Sequence, residues 1–247
     1  MGLKSWLQRL MGEQGEGEDE FDPTPVEHLI GYTFNDPSHL ILSLTHRSYS
    51  HLSDAPRPSN ERLEFLGDSV LGVVIADQLY RDNPSLREGE LTKTRALLVN
   101  ESTLAMVGTE IGLPGFLRLS PEEDRSGGRK RPSIISDAFE SIIGAVYIDG
   151  GYPAAKDLVL RLIYSRKERI VSDESRRNYK GELLEIIQGR GDGMPRYDVV
   201  SETGPDHEKT FHVVVTISGE PAGEGAGLSK KEAEQKAAAA AMESLAQ

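Results

Sequence analysis

The sequence predicts an all-α domain followed by a small α+β domain with the order α-β-β-β-α. Three observations carry this expectation. From Leu44 to Ala154 apolar residues recur at helical spacing with almost no period-2 alternation. A polar patch, Ser172-Asp-Glu-Ser-Arg-Arg177, then interrupts the pattern. Beyond it one helix is followed by short β-rich runs, turn signals and a last helix, all within the final stretch of about 70 residues.

The elements follow in order. Residues Gly12 to Pro25 are rich in Glu, Asp, Gly and Pro, so residues 1–24 read as a disordered acidic leader. Helical patterning starts near Val26. Helices are expected over Pro37–Leu44, Glu61–Arg81, Glu90–Ile111, Ser133–Tyr147 and Ala154–Ser172. Gly150-Gly151 and Pro153 punctuate before the last of these. The first domain thus spans 25–172 and the linker 173–178. The second domain, 179–247, opens with a helix at Lys180–Gln188. Strands are expected at Arg196–Val200, Lys209–Ile217 and Gly223–Gly227, with Ser218-Gly219-Glu220-Pro221 as a turn. A helix from Lys230 to Leu245 closes it, with Ala237–Ala241 as small-residue packing on the sheet.

Composition excludes several classes. No run of about 18 apolar residues exists to span a bilayer. Met1 to Met11 lacks the apolar run of a signal peptide. The chain has 0 cysteines, so disulfides and thiolate metal sites are out, and a cytoplasmic location fits. The net charge of −12 by itself argues against nucleic acid and is accounted for by solubility. It is equally what an enzyme with clustered metal-binding carboxylates would carry.

Those carboxylates are the most informative feature. In Asn60-Glu-Arg-Leu-Glu-Phe-Leu-Gly-Asp-Ser69, with Pro58 and Ser59 as helix entry and N-cap, three acids lie on one face. At about 100° per residue Glu61, Glu64 and Asp68 fall within roughly 60° of arc. Like charges at this spacing destabilise a helix, and no cation sits one turn away on that face. Leu63, Leu66, Val70, Val73 and Val74 form the apolar stripe beside them. A second pair, Asp137 and Glu140, lies in Ser133-Ile-Ile-Ser-Asp-Ala-Phe-Glu-Ser-Ile-Ile-Gly-Ala-Val-Tyr147, apolar on nearly every side and expected to be buried. Buried charge is costly unless paired or metal-bound. A single acidic pair would read as a solvated helix face. Two clusters of oxygen donors suit a hard cation such as Mg²⁺, which supports phosphoryl chemistry.

At these residues the chain resembles the ribonuclease III family. Asn60–Ser69 is similar to the family signature, and Leu44-Thr-His-Arg-Ser48 and Ser136-Asp-Ala-Phe-Glu140 resemble its flanking segments, in the expected order. The resemblance covers residues 25–247. It implies a Mg²⁺-dependent endonuclease domain, with Mn²⁺ as substitute. Glu64, Asp68, Asp137 and Glu140 would be its metal ligands, and Asp68 and Glu140 the essential catalytic pair. Glu61 would act at the dimer interface and near the cleavage site. Glu88, which also reads as an exposed loop acid, would act through metal-bound water or the interface. Phe65 would enter the partner of a homodimer, unless it is an ordinary core residue. Products would carry 5′-phosphates and 3′-hydroxyls with two-nucleotide 3′ overhangs, from ribosomal RNA precursors and messenger hairpins.

The second domain resembles a double-stranded RNA-binding domain, whose fold reads A-form shape. The resemblance implies RNA contacts at Glu185, at His207 in the loop before a strand, and at Ser229, Lys230 and Lys231, where helix amides also favour phosphate. From Asn178 to Gln247 there are 7 Lys or Arg against 12 Asp or Glu, a net of −5 that is unusual for such a module. The basic loop Arg125–Arg131 reads either as a phosphate contact or as a solvated loop. The alternative to the enzyme is a non-catalytic double-stranded RNA-binding scaffold, which predicts losses among the four metal-site acids; none is lost. A hydrolase of small phosphates is disfavoured by the second domain. No membrane and no small-molecule cofactor are expected.

Overall fold

The computed structural model describes residues 21–52, 58–173, 178–205 and 209–245. The proposed acidic leader therefore lies outside the described residues up to position 20, and most of the linker (174–177) lies outside them too. The chain divides after residue 174 into two compact units.

The first unit is helical. Helix α1 (Thr24–Ile30) enters at Pro23 and ends on Gly31 at φ 63°, a left-handed turn that favours glycine. Phe21 already packs on the core. Helix α2 (Pro37–Ser43) is capped by the Asp36 side chain, which accepts from the Ser38 amide. Helix α3 (Arg47–Ser50) is a single turn. Helix α4 (Glu61–Asp82) and helix α8 (Pro132–Leu162) are the two long elements. Between them come α5 (Glu88–Val99), α6 (Glu101–Glu110) and α7 (Pro121–Arg125). A short α9 (Lys167–Val171) ends the unit.

The core is built where α4 crosses α8. Leu71, Val74 and Ile75 of α4 and Phe139, Ile142, Ile143 and Val146 of α8 are fully or almost fully buried. Two glycines permit the approach. A Cβ on Gly67 would run into the Glu140 carbonyl, and a Cβ on Gly144 into the Leu63 carbonyl. Asp149, near the end of the straight part of α8, clasps the loop between α1 and α2. It accepts from Tyr32 Oη at 2.7 Å, Asn35 N at 2.8 Å and Asp36 N at 2.9 Å.

Three expectations need correction here. The single helix over Glu90–Ile111 is two helices, because Asn100 is extended (φ −76°, ψ 157°) and its side chain caps α6 by accepting from Thr103 N. The break expected between the helices over Ser133–Tyr147 and Ala154–Ser172 is present at Gly151 (φ 74°, ψ −174°), but the second helix is shorter than expected. That element stops at Leu162, where Arg166 Nη1 takes the Leu162 carbonyl at 2.5 Å. Thirdly, Val73 does not belong to the buried stripe, since it is exposed.

The second unit follows the order α10 (Tyr179–Arg190), β1 (Arg196–Thr203), β2 (Thr210–Ile217), β3 (Glu220–Gly227) and α11 (Lys230–Leu245). The sheet is antiparallel with strand order β1-β2-β3. Leu183 and Ile187 of α10, Val213 and Val215 of β2, and Ala233, Ala237, Ala238 and Ala241 of α11 make its core. Gly223, Gly225 and Gly227 of β3 face that alanine row, where a Cβ would collide with α11. The small-residue packing expected of Ala237–Ala241 is therefore present. The expected four-residue turn is only Ser218-Gly219, with φ 52° and 91°, the pattern of a tight hairpin. Glu220 and Pro221 belong to β3, and a proline is tolerated there because β3 is an edge strand.

Candidate active site

The site grows from one residue, Asn60, which joins three segments. Its amide donates to the Thr45 carbonyl at 2.9 Å. Its carbonyl accepts from Leu63 N and Glu64 N, starting α4, and from Ser141 Oγ of α8 at 3.1 Å. Asn60, not Ser59, holds the N-cap position of α4. Ser59 Oγ instead donates to Glu61 Oε2 at 2.7 Å. This knot and the glycine crossing bring the acid face of α4 against the acid pair of α8.

Carboxylate oxygens of Glu64, Asp137 and Glu140 lie within 4.8 Å of one another. Each side chain is half-buried, and the charged state of each is opposed. Burial, then Asp68, Glu64 and Asp137, push Glu140 up to about 8. Burial, followed by Asp137, Glu61 and Asp68, raises Glu64, with Arg47 acting the other way. Burial and then Glu101 raise Asp137, offset by the Ser136 hydroxyl and Arg47. Three carboxylates at this spacing oppose one another's ionisation, and a carboxylate-only set suits a hard divalent ion.

Asp68 stands outside this triplet, exposed to solvent, but its charge is the largest of those acting on Glu140. Glu61 is exposed at the helix entry. Glu88 begins α5 and accepts from Thr92 Oγ1 at 2.8 Å, with no place in the triplet. Phe65 is 78% exposed, which excludes the core reading.

Sequence reasoning missed two charges at the site. Arg47 acts on Glu64 and Asp137, and Glu101 on Asp137. Neither shares a helix with the acids it influences, so no spacing rule could find them. The basic loop keeps most of its cations at the surface, with three of them in local ion pairs. Arg125 pairs with Glu122, Arg129 with Asp124 and Arg131 with Glu123, the last at 2.6 Å. Arg129 also donates to the Pro114 and Leu117 carbonyls, so this cation braces the fold.

In the second unit Glu185 is exposed on α10. His207 lies outside the described residues. Ser229 caps α11 by accepting from Glu232 N at 3.2 Å, while the Glu232 carboxylate takes the Leu228 amide at 2.9 Å. Lys230 lies 4.0 Å from Glu202 and over the Phe211 ring, and Lys231 is exposed.

The Ribonuclease-III-like family profile matches residues 36–167, more than half of the chain. The chain belongs to the ribonuclease III family. The profile of the double-stranded RNA binding motif matches residues 179–245. "Ribonuclease 3" of Streptomyces coelicolor is 46% identical over 222 residues, covering 90% of this chain and 79% of that protein. "Ribonuclease 3" of Caldanaerobacter subterraneus subsp. tengcongensis is 45% identical over 90% of this chain and 96% of its own length. Among solved structures, the nuclease domain of ribonuclease III from Campylobacter jejuni superposes with a TM-score of 0.55 at 40% identity. It covers 58% of this chain and 97% of that domain, in a study of a region involved in its dimer formation. This ribonuclease III-type chain is an endoribonuclease acting on double-stranded RNA. No described helix is long and apolar enough to cross a membrane.

Proposed function

We propose that the chain is a Mg²⁺-dependent, homodimeric endonuclease that hydrolyses phosphodiester bonds of duplex RNA. The observation that carries this reading is the convergence of Glu64, Asp137 and Glu140 within 4.8 Å across two helices. These three, with Asp68, would hold Mg²⁺, and Mn²⁺ would substitute. When bound, the ion supplies Lewis-acid stabilisation of charge on the phosphoryl and leaving oxygens. Asp68, open to solvent beside the triplet, accepts a hydrogen bond from the attacking water and orients it. Glu140 holds a proton on its carboxyl while the ion is away, which lowers the repulsion among the four acids. Glu61 extends the acid face toward the substrate, and Glu88 serves through a water or the partner subunit.

Phe65 would enter the partner protomer. In the second domain Glu185, His207, Ser229, Lys230 and Lys231 would meet the RNA grooves and phosphates. Products would be 5′-phosphate and 3′-hydroxyl ends with two-nucleotide 3′ overhangs, from ribosomal RNA precursors and messenger hairpins in the cytoplasm. The domain limits are 25–172 and 179–247.

The test is cleavage of a long RNA duplex in Mg²⁺ by the intact chain and by Glu140→Gln. Cutting by the intact chain alone, with the variant still binding duplex, supports the assignment. Binding without cutting by both makes the chain a scaffold.

A further inference from the structure

We propose that Arg47 binds the RNA backbone phosphate beside the bond being cut, a role that rests on the metal-site reading of Glu64, Asp137 and Glu140. The backbone around Arg47 is held from three sides. Arg118 N donates to the Leu44 carbonyl at 2.9 Å, and His46 N donates to the Arg118 carbonyl at 3.1 Å. Asn60 N takes the Thr45 carbonyl. His46 Nδ1 accepts from Ser48 N at 3.2 Å and caps α3, while Ser48 Oγ accepts from Ser120 N at 3.0 Å. The arrangement fixes Arg47 beside the start of the acid-bearing helix.

Its side chain is nevertheless exposed, and among the described residues it makes no ion pair or hydrogen bond. Neighbouring arginines differ. Arg118 donates to Thr45 Oγ1 and Tyr49 Oη, and Arg129 and Arg131 pair with acids. Asn60, which donates to the Thr45 carbonyl two residues before Arg47, starts α4 and accepts from Ser141 of α8, so the Arg47 segment is tied to the place where both acid-bearing helices meet.

A duplex approaching this site meets a wall of carboxylates that repels its phosphates. A cation is needed beside the acids, at a distance that leaves their oxygens to the metal. An unpaired guanidinium on a rigid segment meets that need, because its fork can take two phosphate oxygens at once. The competing explanation is a counter-charge for the acids alone, and the two separate on binding.

The experiment uses the full chain carrying Glu140→Gln, so that duplex RNA is bound and not cut, with Arg47→Gln or Arg47→Lys added. Arg47→Gln is expected to weaken duplex binding about tenfold, uniformly across duplex sequences. The slope of log affinity against log salt should fall by about one per contacted phosphate. Arg47→Lys keeps the charge and should keep the slope. In the cutting-competent chain Arg47→Gln should raise KM for duplex and leave the Mg²⁺ half-saturation unchanged. Unchanged duplex affinity and slope, with Mg²⁺ half-saturation moved to lower concentration, would make Arg47 a counter-charge and overturn the proposal. Loss of the slope in Arg47→Lys to the same extent as in Arg47→Gln would overturn it too. Mn²⁺ uptake by the intact chain without RNA, read by electron paramagnetic resonance, tests the underlying site separately. No uptake sinks the metal reading, and with it the placement of Arg47 at the scissile bond, whatever the duplex titration gives.

Discussion

Glu140 is the residue on which chemistry and stability pull in opposite directions. Its carboxyl titrates near 8 in the folded chain, against about 4.3 in an unfolded one. A raised carboxyl makes the folded state bind the proton more tightly. The stabilisation is complete below the unfolded value and is lost as pH rises through 8. In chelator, Glu140→Gln should therefore melt higher than the intact chain at pH 9, by on the order of 1 kcal/mol after allowing for solvent screening. The two should converge near pH 4, while cleavage is abolished at every pH. A melting difference that does not change with pH would sink this account. Asp149 has the opposite sign. Burial pushes it up, but hydrogen bonds from Tyr32, Asn35 and Asp36 outweigh that and hold it below the usual range. Its stabilisation is present above the unfolded pKa and is lost as pH falls through the lower folded value. Asp149→Ala should cost about 1–3 kcal/mol at neutral pH and flatten the acid limb of the stability profile, as urea melts would measure.

At the scale of elements, the crossing of α4 and α8 decides whether a site exists. Gly67→Ala or Gly144→Ala places a methyl into a backbone carbonyl of the other helix. Either should cost about 1–3 kcal/mol or more and lower Mg²⁺-dependent cleavage through a weaker metal response, seen in melts and metal titrations. In the second unit Gly225→Ala should separate α11 from β3, and loss of duplex binding with an intact nuclease melt would register it. These elements also mark what the sequence made legible. The acids of α4 and α8 stand out because 3.6-residue periodicity puts carboxylates where apolar neighbours predict burial. The break at Asn100 did not, since a capping asparagine inside a helical pattern looks like one more polar position. Gly151 signalled a helix boundary, and the helix does break there. Glu101 remained hidden because it meets the acids through tertiary packing, and Arg47, although it lies in the Leu44–Ser48 segment that carries the resemblance, had no spacing to the acids that would single it out.

Across the whole molecule, the unresolved balance is between an acidic chain and an acidic ligand. The net charge is −12, and the second domain contributes −5 of it. Duplex affinity must then come from local cations and not from the mean field, and cleavage should fall steeply with salt. Removal of residues 1–22 tests whether the leader adds to the repulsion; unchanged cleavage across a salt series would mean it does not. The proposed homodimer would be built on α4. Phe65, Val73 and Tyr80 are 78%, 58% and 73% exposed and lie on one side of the helix over about 22 Å of its length. Phe65→Glu is expected to yield monomers in sedimentation and to reduce cleavage. The glycine crossing has a consequence for heat as well. The bite of the acids is set by how closely two backbones can lie, so the nuclease centre behaves like a caliper with helices for jaws. Warming that opens the jaws by a fraction of an ångström should slacken its grip on the ion while every helix is still intact. Such an enzyme would fall silent some degrees before it melts, and excess Mg²⁺ would bring it back.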